Sequence, residues 1–145
     1  MASYRKVLVA VDGSSCSSRA VKVAVDLCGL FGAEMHMIFV VSEIVVDGLK
    51  SMAKSEIKGV TENLKMEGKK YFRDAGNEAK KMGVNTVEVL KAGFPADEII
   101  TYAKKNKMDL IVMGTHGSHS STRPLIGSVA NRVIHLAPSP ILIVP

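Results

Sequence analysis

Residues 85–113 read NTVEVLKAGFPADEIITYAKKNKMDLIVM, and the fold is decided within this stretch. NTVEVLK at 85–91 has the character of a strand, and DLIVM at 109–113 is a short, nearly unbroken apolar run, as a strand buried on both faces requires. Between them Pro95 stands at a good first helical position. Asp97 and Glu98 follow in the first turn, and Lys104, Lys105 and Lys107 collect at the negative end of the helix dipole. Ile99, Ile100 and Ala103 form its inward stripe. A strand followed by a helix and another strand is the unit of a parallel sheet.

The same alternation extends in both directions. RKVLVAV at 5–11, EMHMIFVV at 34–41 and PILIV at 140–144 read as strands. Residues 15–32 carry a 3.6-period stripe of Ala20, Val21, Ala24, Leu27, Cys28 and Phe31, with Ser14 or Ser15 to cap its start. A long helix over 53–82 shows a stripe of Ile57, Val60, Leu64, Phe72, Ala75, Ala79 and Met82, in which Gly68 allows close approach to the sheet. The segment 42–52 before it reads as a flexible connection, and a last helix covers 127–137. Five strands alternating strictly with four helices imply one α/β domain over residues 1–145, an open five-stranded parallel sheet with helices on both faces. In the order 3-2-1-4-5, the first and fourth strands flank the point where such sheets bind ligands.

Composition narrows the function classes. The 145 residues (15.5 kDa) are 47% hydrophobic and 23% charged, which suits a folded globular domain and not a disordered chain. No apolar run approaches the ~20 residues of a membrane span, and the five-residue run after the N-terminus is too short for a signal peptide. Cys16 and Cys28 fall in one expected helix, about 18 Å apart along its axis, so they cannot bond to each other. A cytoplasmic protein is expected. The net charge of +5 is concentrated in residues 50–81, which hold nine Lys/Arg and five Asp/Glu. That stretch reads as a basic helix face, and its scarcity of aromatics argues against nucleic acid as the partner.

The chemistry lies after the fourth strand. Gly114 and Gly117 are followed, nine residues on, by Gly127-Ser128 opening the last helix. Glycines let backbone N–H groups approach an anion, and a helix N-terminus adds unpaired N–H groups and a positive dipole end. The alternative is a loop with turn glycines and an ordinary helix start. These four residues match the Gly-x2-Gly-x9-Gly-Ser/Thr signature, and the chain resembles the ATP-binding branch of the universal stress proteins. KVLVAVDGS at the start, DLIVMGTHG in the middle and GSVANRVIHLAPSPILIVP at the end carry the resemblance across the whole length.

The resemblance implies a Rossmann-like, usually dimeric domain that binds ATP or AMP, with Mg²⁺. It implies that Asp12 contacts the ribose, that Ala10, Val11 and Val40 line the adenine pocket, and that Met113 and Gly114 pack under the nucleoside. Gly117, Gly127, Ser128 and Val129 would hold the phosphates through main-chain N–H groups. The insert SHSSTRPLI departs from the family pattern: Ser120 and Ser121 replace a glycine-containing, basic stretch, and Pro124 removes one N–H. A nucleotide-free dimeric scaffold of the same fold is the alternative that this departure supports.

Other residues point to plainer roles. Ser14, Ser15, Ser17 and Ser18 read as caps and turn residues more than as a flavin phosphate loop. His116 and His119 have a metal-like separation without accompanying ligands. There is no Walker lysine, no GxGxxG after the first strand and no evident base–nucleophile pair, so a binding protein is expected, not an enzyme, with slow ATP hydrolysis left open. The PILIVP segment at 140–145 would form an apolar sheet edge and pair with a second copy as a homodimer.

Overall fold

The computed structural model describes residues 3–49, 51–116 and 126–145. Five parallel strands, β1 (Lys6–Ala10), β2 (Glu34–Ser42), β3 (Thr86–Gly93), β4 (Leu110–Gly114) and β5 (Ile141–Val144), form one sheet in the order β3-β2-β1-β4-β5. This is the expected order. Central β1 pairs Val7 with Met35 on one side and with Leu110 on the other. At the entry side of the sheet, the Asp109 carboxylate accepts the backbone N–H groups of Arg5 and Lys6, each at 2.9 Å, and joins the starts of β1 and β4.

Two helices cover each face. On one face α1 (Ser15–Phe31) and α3 (Lys54–Lys81) bury Val7, Val9, Met35, Met37 and Val112 against Ala20, Ala24, Cys28, Phe72, Ala75 and Ala79. On the other, α4 (Pro95–Lys105) and α5 (Ser128–Leu136) cover Leu8, Ile38, Val89, Ile111 and Met113 with Ile99, Ala103, Ala130 and Val133. The sheet is thus buried on both sides, which explains why its central strands read as continuous apolar runs. Buried His36 on β2 bridges to α4, with Nδ1 2.7 Å from the Tyr102 hydroxyl and Nε2 beside the Glu34 carboxylate.

Local chemistry accounts for the helix ends. Ser14 caps α1: its side chain accepts the Ser17 N–H at 3.1 Å. Gly32 closes the same helix in the left-handed conformation, φ 66°. Two expectations need correction. Segment 42–52 is not simply a connection, because Glu43–Asp47 forms a short helix, α2, packed against β3. Met82 is not part of the α3 core stripe: α3 ends at Lys81 and Met82, its C-cap, is 55% exposed. Gly68 does lie where α3 meets the sheet, and a Cβ there would collide with the Phe39 ring of β2.

Candidate functional site

The C-terminal ends of β1, β2 and β4 open into a cleft of about 480 Å³. Parallel strands leave their carboxyl ends here, and the loops that follow must diverge to opposite faces. Ala10, Val11 and Asp12 arrive from β1, Val40 from β2, and Met113 and Gly114 from β4. Gly127, Ser128 and Val129 arrive at the start of α5. The structure thus brings together nine of the ten residues singled out in the sequence. The tenth, Gly117, lies outside the described residues, as do His119, Ser120, Ser121, Arg123 and Pro124.

Hydrogen bonds order the first turn after β1. The Asp12 carboxylate accepts the Ser14 N–H at 2.9 Å, and the Asp12 N–H donates to Ser17 Oγ at 3.3 Å. Gly13 between them has φ +82°, and a Cβ on it would run into the Tyr71 ring. Glycine is therefore required twice over here, by conformation and by space. Gly114 is equally confined, since its Cβ would come within 2.6 Å of Cys16 Cβ on α1.

The start of α5 supplies donors. Gly127 caps the helix with φ −63°, a backbone any residue adopts. Its own N–H donates to the Thr115 carbonyl at 2.6 Å and is not directed into the cleft, unlike the role the resemblance implies for it. The first turn of the helix closes with the Asn131 N–H on the Gly127 carbonyl. The N–H groups of Ser128 and Val129, ahead of that bond, have no backbone acceptor among the described residues, as at any helix start. They and the helix dipole give this end of the cleft an affinity for anions.

The long helix contributes a wall that sequence reasoning missed. Leu64, Glu67 and Tyr71 of α3 also line the cleft. They stand at i, i+3 and i+7, one face of a helix, and two polar side chains continuing an apolar stripe were the available signal. The Tyr71 ring meets Phe39 edge-on at 5.7 Å. Burial, and then the nearby Glu67 and Asp12 carboxylates, push its hydroxyl above the ordinary 10.0. Thr115 and His116 complete the lining. Thr115 Oγ1 lies 3.0 Å from His116 Nδ1, and the buried Nε2 of that ring has no partner among the described residues. Among the described residues no group of three His, Cys, Asp or Glu is placed to hold a metal ion.

An open 3-2-1-4-5 sheet with helices on both faces and a cleft at its switch point defines a doubly wound α/β protein. Residues 3–145 match the universal stress protein family, and the chain belongs to that family. It is 39% identical to universal stress protein MJ0531 of Methanocaldococcus jannaschii, over 97% of this chain and 82% of that one. It is 34% identical to universal stress protein YxiE of Bacillus subtilis, over 97% and 99% of the two chains. Among solved structures, the hypothetical protein MJ0577 superposes with a TM-score of 0.85 at 26% identity, covering 97% of this chain and 95% of that one. A universal stress protein crystallised in complex with cAMP superposes with a TM-score of 0.69 at 26% identity, covering 98% and 97%.

Proposed function

We propose that the cleft binds an adenine nucleotide, ATP or AMP, and that the protein is a nucleotide-responsive regulatory module of the stress response, not an enzyme. The observation that carries this reading is the meeting, in one cleft, of an apolar slot, a carboxylate and a helix start. The volume of about 480 Å³ falls in the range of small-molecule sites. Ala10, Val11, Val40 and Met113 offer apolar surface for the base, with Gly114 beneath the nucleoside. Asp12 offers a carboxylate to the ribose hydroxyls, and the Ser128 and Val129 N–H groups face the phosphates. The relative solved with cAMP supports the choice of an adenine nucleotide.

The described residues do not form a protein cage for Mg²⁺. That ion is usually held by one or two carboxylates together with substrate phosphates. It would therefore reach this chain on the nucleotide. A binding role fits the lining better than catalysis: Thr115 and His116 make a hydroxyl–imidazole pair, yet the ring's Nε2 has no partner among the described residues to orient it as a general base requires. We place the protein in the cytoplasm and assign it a homodimeric state through residues 140–145. No helix among the described residues is long and apolar enough to cross a membrane.

Calorimetric titration of the purified protein with ATP, AMP and FMN tests the reading. Saturable binding of ATP or AMP is expected, with none of FMN. Gly127→Val, whose branched side chain would occupy the phosphate space, should abolish binding while the far-ultraviolet spectrum stays unchanged. Folded wild-type protein that binds no adenine nucleotide would leave the nucleotide-free scaffold as the correct reading.

A further inference from the structure

The long helix α3 carries eight Lys/Arg and five Asp/Glu, and the structure sorts them by side. At 100° per residue, Lys58, Lys65, Lys69, Arg73 and Lys80 fall within about 80° of one another. Glu56, Glu67, Asp74 and Glu78 fall within about 40° on the opposite flank. That acidic flank turns toward α1, since Lys70, Asp74 and Glu78 border the groove between the two helices and Glu67 borders the cleft. The basic flank consequently faces away from α1, over β3 at the edge of the sheet.

Lys58, Lys69, Arg73 and Lys80 are exposed, and none has a carboxylate within ion-pair distance among the described residues. Lys65 makes a 3.6 Å contact with Glu62, the one acidic residue within the basic arc. Glu88 on β3 faces the same side and pairs with none of them. Met66, 67% exposed, adds an apolar contact at the border of the arc. From Lys58 to Lys80 the row is about 33 Å long. Unpaired like charges in a row destabilise a helix by a few tenths of a kcal/mol per pair. Here four of the five available acids stand on the other flank, where they cannot relieve it.

We propose that this basic flank of α3 is a docking surface for an acidic α-helical segment of a partner protein. The intervals along the row, seven, four, four and seven residues, repeat with the helix period. Carboxylates at i, i+4 and i+7 on a second helix meet such a row in register. Nucleic acid fits it less well. Bidentate phosphate recognition favours Arg, whereas this row is Lys at every position but one, and it carries no aromatic side chain for stacking. The surface lies at the opposite sheet edge from β5, so it stays accessible in a dimer built through residues 140–145.

The test uses the full chain and a fluorescein-labelled helical peptide with Glu at i, i+4 and i+7 over three heptads. A duplex DNA of similar length runs in parallel. Lys69→Glu/Arg73→Glu removes the centre of the row, and Lys104→Glu/Lys105→Glu on α4 makes the same change in net charge elsewhere. The peptide should bind wild type at low salt and shift amide resonances between residues 58 and 80. Affinity should fall at least about tenfold in the α3 variant and less than about threefold in the α4 variant, with both variants keeping the wild-type far-ultraviolet spectrum. Equal losses in the two variants would reduce the effect to net charge and overturn the proposal. So would absence of peptide binding at low salt, or tighter binding of the DNA than of the peptide.

Discussion

Asp12 joins two functions that pull in different directions. Its carboxylate accepts the Ser14 N–H and shapes the turn into α1, while the same group borders the cleft. If it accepts ribose hydroxyls, Asp12→Ala should weaken ATP binding by roughly 1–3 kcal/mol, the usual worth of a hydrogen bond to a charged group. A 2′,3′-dideoxy nucleotide should lose little more in the variant. Additive losses in a double cycle of protein and nucleotide would show that the two groups do not touch. Cys28 gives a second residue-scale prediction. It is buried among the α1 core, and burial pushes its thiol from 9.0 up to about 11. The folded state holds this proton more tightly than the unfolded one, so the stabilisation is complete below pH 9 and is lost as pH rises from 9 toward 11. Urea midpoints measured across that window should fall in wild type, and Cys28→Ala should fall less steeply. At neutral pH a thiol reagent should label half-buried Cys16 before Cys28. At this scale the positions of Asp12, Gly114 and Gly127 at the cleft were legible from motif and strand position alone. The bond from the Gly127 N–H to the Thr115 carbonyl was not, because it depends on how two chain segments meet after folding.

Among the elements, α3 separates what the sequence could show from what it could not. Its extent was readable to within a residue at each end because 28 residues of 3.6-period patterning leave little choice. Its partner was not readable: docking onto β2 is a tertiary outcome, and only docking brings Leu64, Glu67 and Tyr71 to the cleft. Met82 belongs to the same lesson, since it continues the apolar stripe by number while the helix has already ended. Three glycines in α3 give the matching experiment. Gly59 and Gly76 have nothing within 4 Å of a built Cβ, so Gly59→Ala and Gly76→Ala should each stabilise the protein by roughly 0.5–1 kcal/mol. Gly68→Ala has the same intrinsic gain but drives a methyl into Phe39, and it should be destabilising by about 1–3 kcal/mol. Thermal unfolding of the three variants decides it; a stabilising Gly68→Ala would mean that α3 does not rest on β2 as described. The short helix α2 shows the opposite limit, for five residues are too few to carry a period that can be recognised beforehand.

For the whole molecule, the two sheet edges have different fates. At the β3 edge, exposed Glu88 and Lys91 interrupt the strand with charge, an ordinary protection against strand pairing. At the β5 edge the strand is Ile-Leu-Ile-Val without a charge, and only Pro140 and Pro145 flank it. Helix α2 does not cover this edge, because it packs against β3 at the opposite edge of the sheet. Leu142 is 37% exposed on the α1 side of the strand, while Ile134 and Leu136 of α5 are exposed on the other side of the sheet. Surface of this kind beside an open strand favours a second copy, and a two-fold axis through the edge would bring the two β5 strands together antiparallel with the same residues on both sides. Wild type is therefore expected to scatter light as a dimer at tens of micromolar. Leu142→Lys/Ile143→Lys places two charges per chain at the contact, where each would face its own copy across the axis without a compensating carboxylate. That variant should run as a monomer and keep its helical spectrum, because Leu142 already reaches solvent and Ile143 lies at the border of the core. A wild type that is monomeric at this concentration, or a double variant that stays dimeric, would move the interface away from β5.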